Sequence, residues 1–308
     1  SGLSAVSSAL TAFLKAGDRL LMTDSVYGPT RVFCDTVLTR FGVSTTYYDP
    51  CIGAGIASLL RPDTAVVLVE SPGSLTFEVQ DLPAIAKAAH ATGAKVLVDN
   101  TWASPLYCKP LSLGADVSIQ AGTKYVVGHS DANLGLVTAT RESWPAVRDL
   151  ARRMGLAVGP DDIYLAQRGL RTIAVRLRRH MESGLAIAEW LRSRPEITRV
   201  LHPALPGDPG HALWRRDFLG ASGLFAVELK PCGPNAVAAF LDGLRLFGLG
   251  YSWGGFESLA VPVRLGRART ATKSTAAGPL VRFHIGLEAV DDLKADLIAG
   301  LARFTAAG

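Results

Sequence analysis

The chain has 308 residues, 48% of them apolar, a net charge of +5 and four cysteines. That apolar share supports a sizeable core in one large or two ordinary domains. No apolar run is long enough to cross a bilayer, no charged-then-apolar leader opens the chain, and Cys34, Cys51, Cys108 and Cys232 form no C-x-x-C pair; the expectation is a soluble, cytoplasmic protein with reduced thiols and no structural zinc.

Arginine outnumbers lysine 24 to 8, but the arginines are scattered, with local groups at Arg176, Arg178, Arg179 and at Arg264, Arg267, Arg269. Without a basic tail or interleaved aromatic and basic residues, the pattern reads as solvated faces and ion pairs rather than a nucleic-acid surface. The six histidines include no H-x-x-x-H pair, so no metal site is expected.

In chain order, residues 4–17 read as a helix stopped by Gly17, 18–24 as a strand, 28–42 as a helix and 43–49 as a strand. Residues 55–61 read as a helix and 65–71 as a strand, and 81–93 as a helix entered through a proline and closed by a glycine. Val- and Ile-rich strands follow at 95–101 and 115–121. Near-continuous apolar strands alternating with amphipathic helices predict an α/β fold: a mostly parallel sheet covered on both faces. Ligands in such sheets sit beyond the carboxyl ends of the strands.

From about Arg141 long helical stretches take over, and strand patterns at 198–203, 222–230 and 280–288 alternate with helices at 235–247 and 290–304. This predicts a smaller C-terminal α+β domain over 171–308, joined by a long helix to a domain over 1–170.

The expected strand ends hold charged residues. Asp99 closes "VLVD"; an unpaired carboxylate there is costly, so it is either capped or paired structurally, or is a fixed anion facing a ligand. Lys124 follows the next strand in "SIQAGTKYVVGHSD"; it either snorkels to solvent or, desolvated, has the lowered pKa of an amine that captures carbonyls. An acid and a lysine at one edge of a parallel sheet together suit pyridoxal phosphate. "SGL" before the first helix offers the Gly2 and Leu3 amides to a phosphate, and Ser118 and Thr123 offer hydroxyls. Tyr27 follows the first strand, where its ring can stack on a cofactor or pack in a turn. Arg282, between apolar residues of "LVRFHIG", calls for a carboxylate partner, internal or on a substrate. Ser252 and Trp253 sit in the glycine-broken loop "YSWGGFESL".

Together the motifs "SGL", "SVYGPT", "ESPGS", "VDNTWA", "TKYVVGHSD", "RGLRT", "YSWGGFESL" and "VRFHIGLE", in this order over nearly the whole chain, resemble the Cys/Met-metabolism family of pyridoxal-phosphate enzymes. The pattern is most similar to the family's bacterial cystathionine β-lyase branch. Ser74 stands where many relatives have Asn, and Ala121 where many have Ser three residues before the lysine. The resemblance implies a type I aminotransferase-like fold and a homo-oligomer, a dimer of dimers. It implies Lys124 as the Schiff-base lysine, Asp99 as the partner of the pyridine nitrogen and Tyr27 as the stacking ring, these three being the catalytic set. Gly2, Leu3 and Thr123 would lie at the phosphate, and Arg282 on the substrate carboxylate with Ser252 and Trp253 nearby. Family members also carry a segment before "SGL" whose Tyr and Arg reach the neighbouring subunit's phosphate; the printed sequence does not include it.

The activity so implied is β-elimination on a sulfur amino acid, L-cystathionine, giving homocysteine, pyruvate and ammonia in methionine biosynthesis. The same residues serve γ-elimination or γ-replacement, and a non-catalytic cofactor-binding regulator is the reading from another class. A nicotinamide dehydrogenase is disfavoured, because no G-x-G-x-x-G follows the early strands.

Overall fold

The computed structural model describes residues 1–266 and 269–308; Arg267 of the second arginine group lies outside the described residues. The elements run α1 (Gly2–Thr11), β1 (Arg19–Thr23), α2 (Gly28–Phe33), β2 (Ser44–Tyr48), β3 (Thr64–Glu70), α3 (Leu82–Ala91), β4 (Lys95–Asp99), α4 (Ser104–Tyr107), β5 (Val117–Ala121), β6 (Gly135–Ala139), α5 (Trp144–Arg153) and α6 (Pro160–Arg192). They continue as β7 (Ile197–Leu201), α7 (His211–Asp217), β8 (Leu224–Leu229), α8 (Pro234–Asp242), β9 (Gly248–Leu249), β10 (Leu259–Val263), β11 (Leu280–His284) and α9 (Val290–Ala307).

The first sheet has strand order β2-β1-β3-β4-β5-β6. All its pairs are parallel except β5 with β6. Alternate side chains explain the two-sided cover. Leu20, Met22, Val66, Leu68, Leu97, Val117 and Ile119 pack with Ala9 and Leu10 of α1. Leu21, Val67, Val69, Val96 and Val98 pack with Ile85 and Ala89 of α3 on the other face. The strand order reverses between β1 and β3, which opens a crevice at their carboxyl ends.

The second sheet, β7-β8-β11-β10-β9, is antiparallel but for the short β10–β9 pair. Val227 and Phe283 of this sheet, with Ile285 just past β11, form a core with Ile187 and Leu191 of α6, Phe240 of α8 and Leu297 of α9. The 33-residue α6 also reaches the first sheet's turns, where its Gly169 lies so close to the Val126 and Val127 carbonyls that a Cβ would meet them at 2.3 and 2.4 Å.

Several expected elements are altered. The helix expected over 28–42 ends its α-helical part at Phe33 and runs on as a π-helical turn over Cys34–Leu38. The helix expected over 55–61 is a 3₁₀ segment, Gly53–Ser58; glycines at 53 and 55 weaken an α-helix there. The antiparallel β6 was outside the expected pattern because this half-exposed edge lacks a continuous apolar run. In β10, Pro262 argues locally against a strand; it is tolerated because β9 pairs only with Leu259 and Ala260.

Candidate active site

Parallel pairing sets the acids side by side. Glu70 closes β3, Asp99 closes β4, and the register places them opposite one another. Asp99 Oδ1 accepts hydrogen bonds from the Thr101 amide (3.0 Å) and the Thr101 hydroxyl (2.5 Å). The same hydroxyl oxygen accepts from the Ala121 amide at 2.9 Å, tying the end of β4 to the end of β5. Burial pushes the Asp99 pKa up, while the Thr101 bonds and the Lys124 charge pull against it. Among the described residues both of its side-chain hydrogen bonds use Oδ1, with Oδ2 open to another donor.

Beyond β5 the chain turns tightly, with the Lys124 amide donating to the Ala121 carbonyl and the Gly128 amide to the Lys124 carbonyl. The Lys124 Nζ donates to Ser252 Oγ at 2.8 Å and stands 5.2 Å from the centre of the Trp253 ring. Burial, then the nearby Arg282 charge, lowers its pKa to about 8, with Asp99 opposing. This amine is therefore partly neutral near physiological pH, as a nucleophile requires.

Arg282 lies on β11, and its guanidinium donates to the Tyr251 carbonyl at 2.6 Å. Burial lowers its pKa to about 10. No ion pair to an Asp or Glu is recorded for it among the described residues, so the internal-carboxylate alternative finds no support. Tyr27 caps the start of α2, its amide donating to Glu70 Oε2 at 2.7 Å and its ring 47% exposed. Its phenol is pushed up by burial and by the charges of Glu70 and Asp99, and pulled down by Arg282. The charges of Asp99 and Arg282 act on both Tyr27 and Lys124, which puts the four groups within electrostatic reach of one another.

At the start of α1, Ser1 Oγ accepts from the Ser4 amide, leaving the Gly2 and Leu3 amides at the open N-terminus of the helix. A Cβ on Gly2 would lie 2.5 Å from the Ala121 Cβ, so this helix end rests directly on the end of β5. Thr123 is close in sequence, but its hydroxyl is engaged by Asn133 (3.0 Å) and Leu134. Ser118 is not brought to this end. It alternates with Val117 and Ile119, which face α1, so its side chain lies on the opposite face of the sheet, and the expectation of a phosphate-binding hydroxyl at 118 is corrected.

Three participants had no role assigned from sequence. Thr101 sits two residues past Asp99 in "VDNT" and supplies the inter-strand tie. Glu70, first in "ESPGS", accepts from Tyr27 and from the Ser74 hydroxyl; burial, and then the Asp99 charge, raise its pKa. Gly254, with φ of +85°, rests on Lys124: a Cβ there would meet the Lys124 backbone at 2.9 Å. Only this last residue had a readable signal, the glycine pair in "SWGG". Among the described residues no group of three or more His, Cys, Asp or Glu is placed to hold a metal ion, and no helix is long and apolar enough to cross a membrane.

Residues 1–302 match the family described as Cys/Met metabolism PLP-dependent enzyme. Cystathionine beta-lyase of Salmonella typhimurium is 48% identical over 308 residues, covering 98% of this chain and 78% of its own length. Cystathionine beta-lyase MetC of Escherichia coli gives the same identity and coverage. The crystal structure of cystathionine gamma synthase from Xanthomonas oryzae pv. oryzae in complex with aminoacrylate and cysteine superposes with a TM-score of 0.94 at 36% identity, covering 100% of this chain and 81% of that one. The donor set fits pyridoxal phosphate: a desolvated amine on Lys124, a carboxylate oxygen of Asp99 available to a ring N–H, and a helix N-terminus with open amides.

Proposed function

The chain belongs to the Cys/Met metabolism PLP-dependent enzyme family, and from that premise we propose that it is a carbon–sulfur lyase cleaving the Cβ–S bond of L-cystathionine. With one water, the products are homocysteine, pyruvate and ammonia. The observation that carries the site is the Lys124 amine bonded to Ser252 Oγ at 2.8 Å, beneath Trp253 and within the electrostatic reach of Asp99 and Arg282. The choice of β- over γ-cleavage is supported by 48% identity to two β-lyases against 36% to the γ-synthase.

When bound, pyridoxal phosphate supplies a carbonyl for amines and an electron-poor ring that takes up the charge left as Cα loses its proton. The chain's own groups do the rest. Lys124 would hold the cofactor, and its amine would serve as the general base that takes the proton from the substrate Cα. Asp99, fixed by Thr101, keeps a negative charge against the ring nitrogen. Tyr27 would stack on the ring, and the Gly2 and Leu3 amides would receive the phosphate, which Thr123 would reach by exchanging its bonds to Asn133 and Leu134. Arg282 binds the substrate carboxylate through guanidinium donors other than the one given to Tyr251, which fixes the orientation of the Cα–H bond. Ser252 takes the Lys124 hydrogen bond, and Trp253 walls the amine from water.

The same proposal divides the chain at about residue 170 into cofactor-binding and substrate-binding parts, in line with the two sheets. It assigns the protein to methionine biosynthesis in the cytoplasm, and to a homotetramer built as a dimer of dimers. Exposed Met154 and Leu156 in the connection between α5 and α6, with Ile163 and Tyr164 in the first turns of α6, support burial against another copy. Sedimentation tests the assembly. Turnover of L-cystathionine followed by keto-acid analysis tests the reaction: pyruvate is expected, whereas 2-oxobutyrate establishes the γ-reading that the γ-synthase neighbour favours.

A further inference from the structure

Behind the Lys124 wall stands a buried histidine with no role in the chemistry above. His284 lies on β11 two residues beyond Arg282, so both side chains leave the same face of the strand. It is 1% exposed. Its Nε2 is 3.1 Å from the Gly254 amide, which donates to it, and 3.2 Å from the Gly255 carbonyl. Gly254 in turn rests on the Lys124 backbone. Immediately before it come Trp253, whose ring stands over the Lys124 amine, and Ser252, which accepts that amine's hydrogen bond.

The aromatic neighbours make the arrangement stiff. Tyr125 lies 5.5 Å from Trp253, 5.2 Å from His180 and 5.9 Å from His284, measured between ring centres, and the two histidines are 5.2 Å apart. A plain packing role explains this residue poorly. His284 Nδ1 and His180 Nε2 are buried with no hydrogen-bond partner among the described residues. A buried, unpartnered ring nitrogen destabilises the fold in a way that a leucine of similar size would not. What the imidazole adds is a polar atom aimed at the Gly254–Gly255 backbone.

We propose that His284 is a positioning residue: its Nε2 accepts the Gly254 N–H and thereby seats Ser252 and Trp253 over the Lys124 amine. Burial holds the imidazole neutral, which leaves that nitrogen able to accept the Gly254 N–H. The inference rests on Lys124 being the reacting amine, but the seating of the loop is measurable apart from the reaction.

The test compares His284→Leu and His284→Gln in the cofactor-loaded protein. Gln carries a side-chain oxygen that can accept the Gly254 N–H in place of the imidazole nitrogen. Hydrogen–deuterium exchange is followed on the peptide spanning 251–258, alongside kcat and KM for cystathionine. His284→Leu is expected to speed Gly254 amide exchange by about tenfold, the upper range for losing one hydrogen bond. It is also expected to lower kcat by about 10–100-fold with a smaller change in KM, as for a misplaced reacting group. His284→Gln is expected to recover most of both. Unchanged exchange in the leucine variant overturns the proposal, as does a glutamine variant no better than leucine. Should the leucine variant not fold, glutamine decides: protected exchange supports the tether and fast exchange refutes it. If exchange confirms the tether while kcat stays at the wild-type value in both variants, the positioning role is refuted, whereas turnover retained by a Lys124→Ala variant would show that the reading of Lys124 itself has failed.

Discussion

Thr101→Val removes a hydroxyl and keeps the shape, which isolates the tie between the two strand ends. In the wild type that hydroxyl donates to Asp99 Oδ1 at 2.5 Å and accepts the Ala121 amide at 2.9 Å. The first is a bond to a charged group, contributing roughly 1.5–3 kcal/mol, and the second contributes about 1 kcal/mol. Asp99 keeps its bond from the Thr101 amide, so the expected loss of folding stability is about 2–4 kcal/mol rather than that of an uncompensated buried charge. The hydroxyl also lowers the Asp99 pKa, so its removal raises that pKa further. Asp99 would then take up its proton at higher pH, and cofactor affinity would fall off earlier as pH decreases. Urea unfolding gives the stability change, and pyridoxal phosphate titration across pH gives the second effect. Unchanged unfolding and an unchanged affinity profile would refute the claim that Thr101 holds the acid.

Glu70→Gln alters the pH response. The folded-state pKa of Glu70 lies above its ordinary 4.5, so over that interval the folded chain binds more protons than the unfolded one, and wild-type stability falls as pH rises through it. The variant should flatten that fall in cofactor-free protein, whereas parallel profiles would show Glu70 to be irrelevant. Gly254→Ala places a Cβ 2.9 Å from the Lys124 backbone at a positive φ; a cost of about 1–3 kcal/mol and a sharp drop in kcat are expected, and wild-type turnover would contradict the close packing. Arg282→Ala should weaken recognition of the substrate carboxylate by roughly 2–5 kcal/mol, read from kcat/KM; unchanged kinetics would remove Arg282 from the site.

The parallel sheet was legible because its strands are buried on both faces: "AVVLVES" and "KVLVDNT" are near-continuous apolar runs ending in acids. Their alternation with helices located Asp99 and Lys124 at one edge. Pairwise register was not legible, and with it went the Glu70–Asp99 juxtaposition and the Thr101 tie, which depend on β4 lying between β3 and β5. Ser118 failed for the opposite reason. Its nearness in sequence to Lys124 suggested a phosphate ligand, but the two-residue alternation of a strand turns it to the other face. Arg282 and His284 could be placed on a strand from "LVRFHIG", yet nothing in that run indicates that the loop around Gly254 is what His284 holds.

Borohydride reduction of the pyridoxal-phosphate-loaded protein, followed by peptide mass spectrometry, tests the central claim most directly. The mass of the reduced cofactor is expected on the peptide carrying Lys124, and the Lys124→Ala variant should carry no such adduct. Attachment at another lysine, or a stable adduct in the variant, would contradict the assignment on which the chemistry rests.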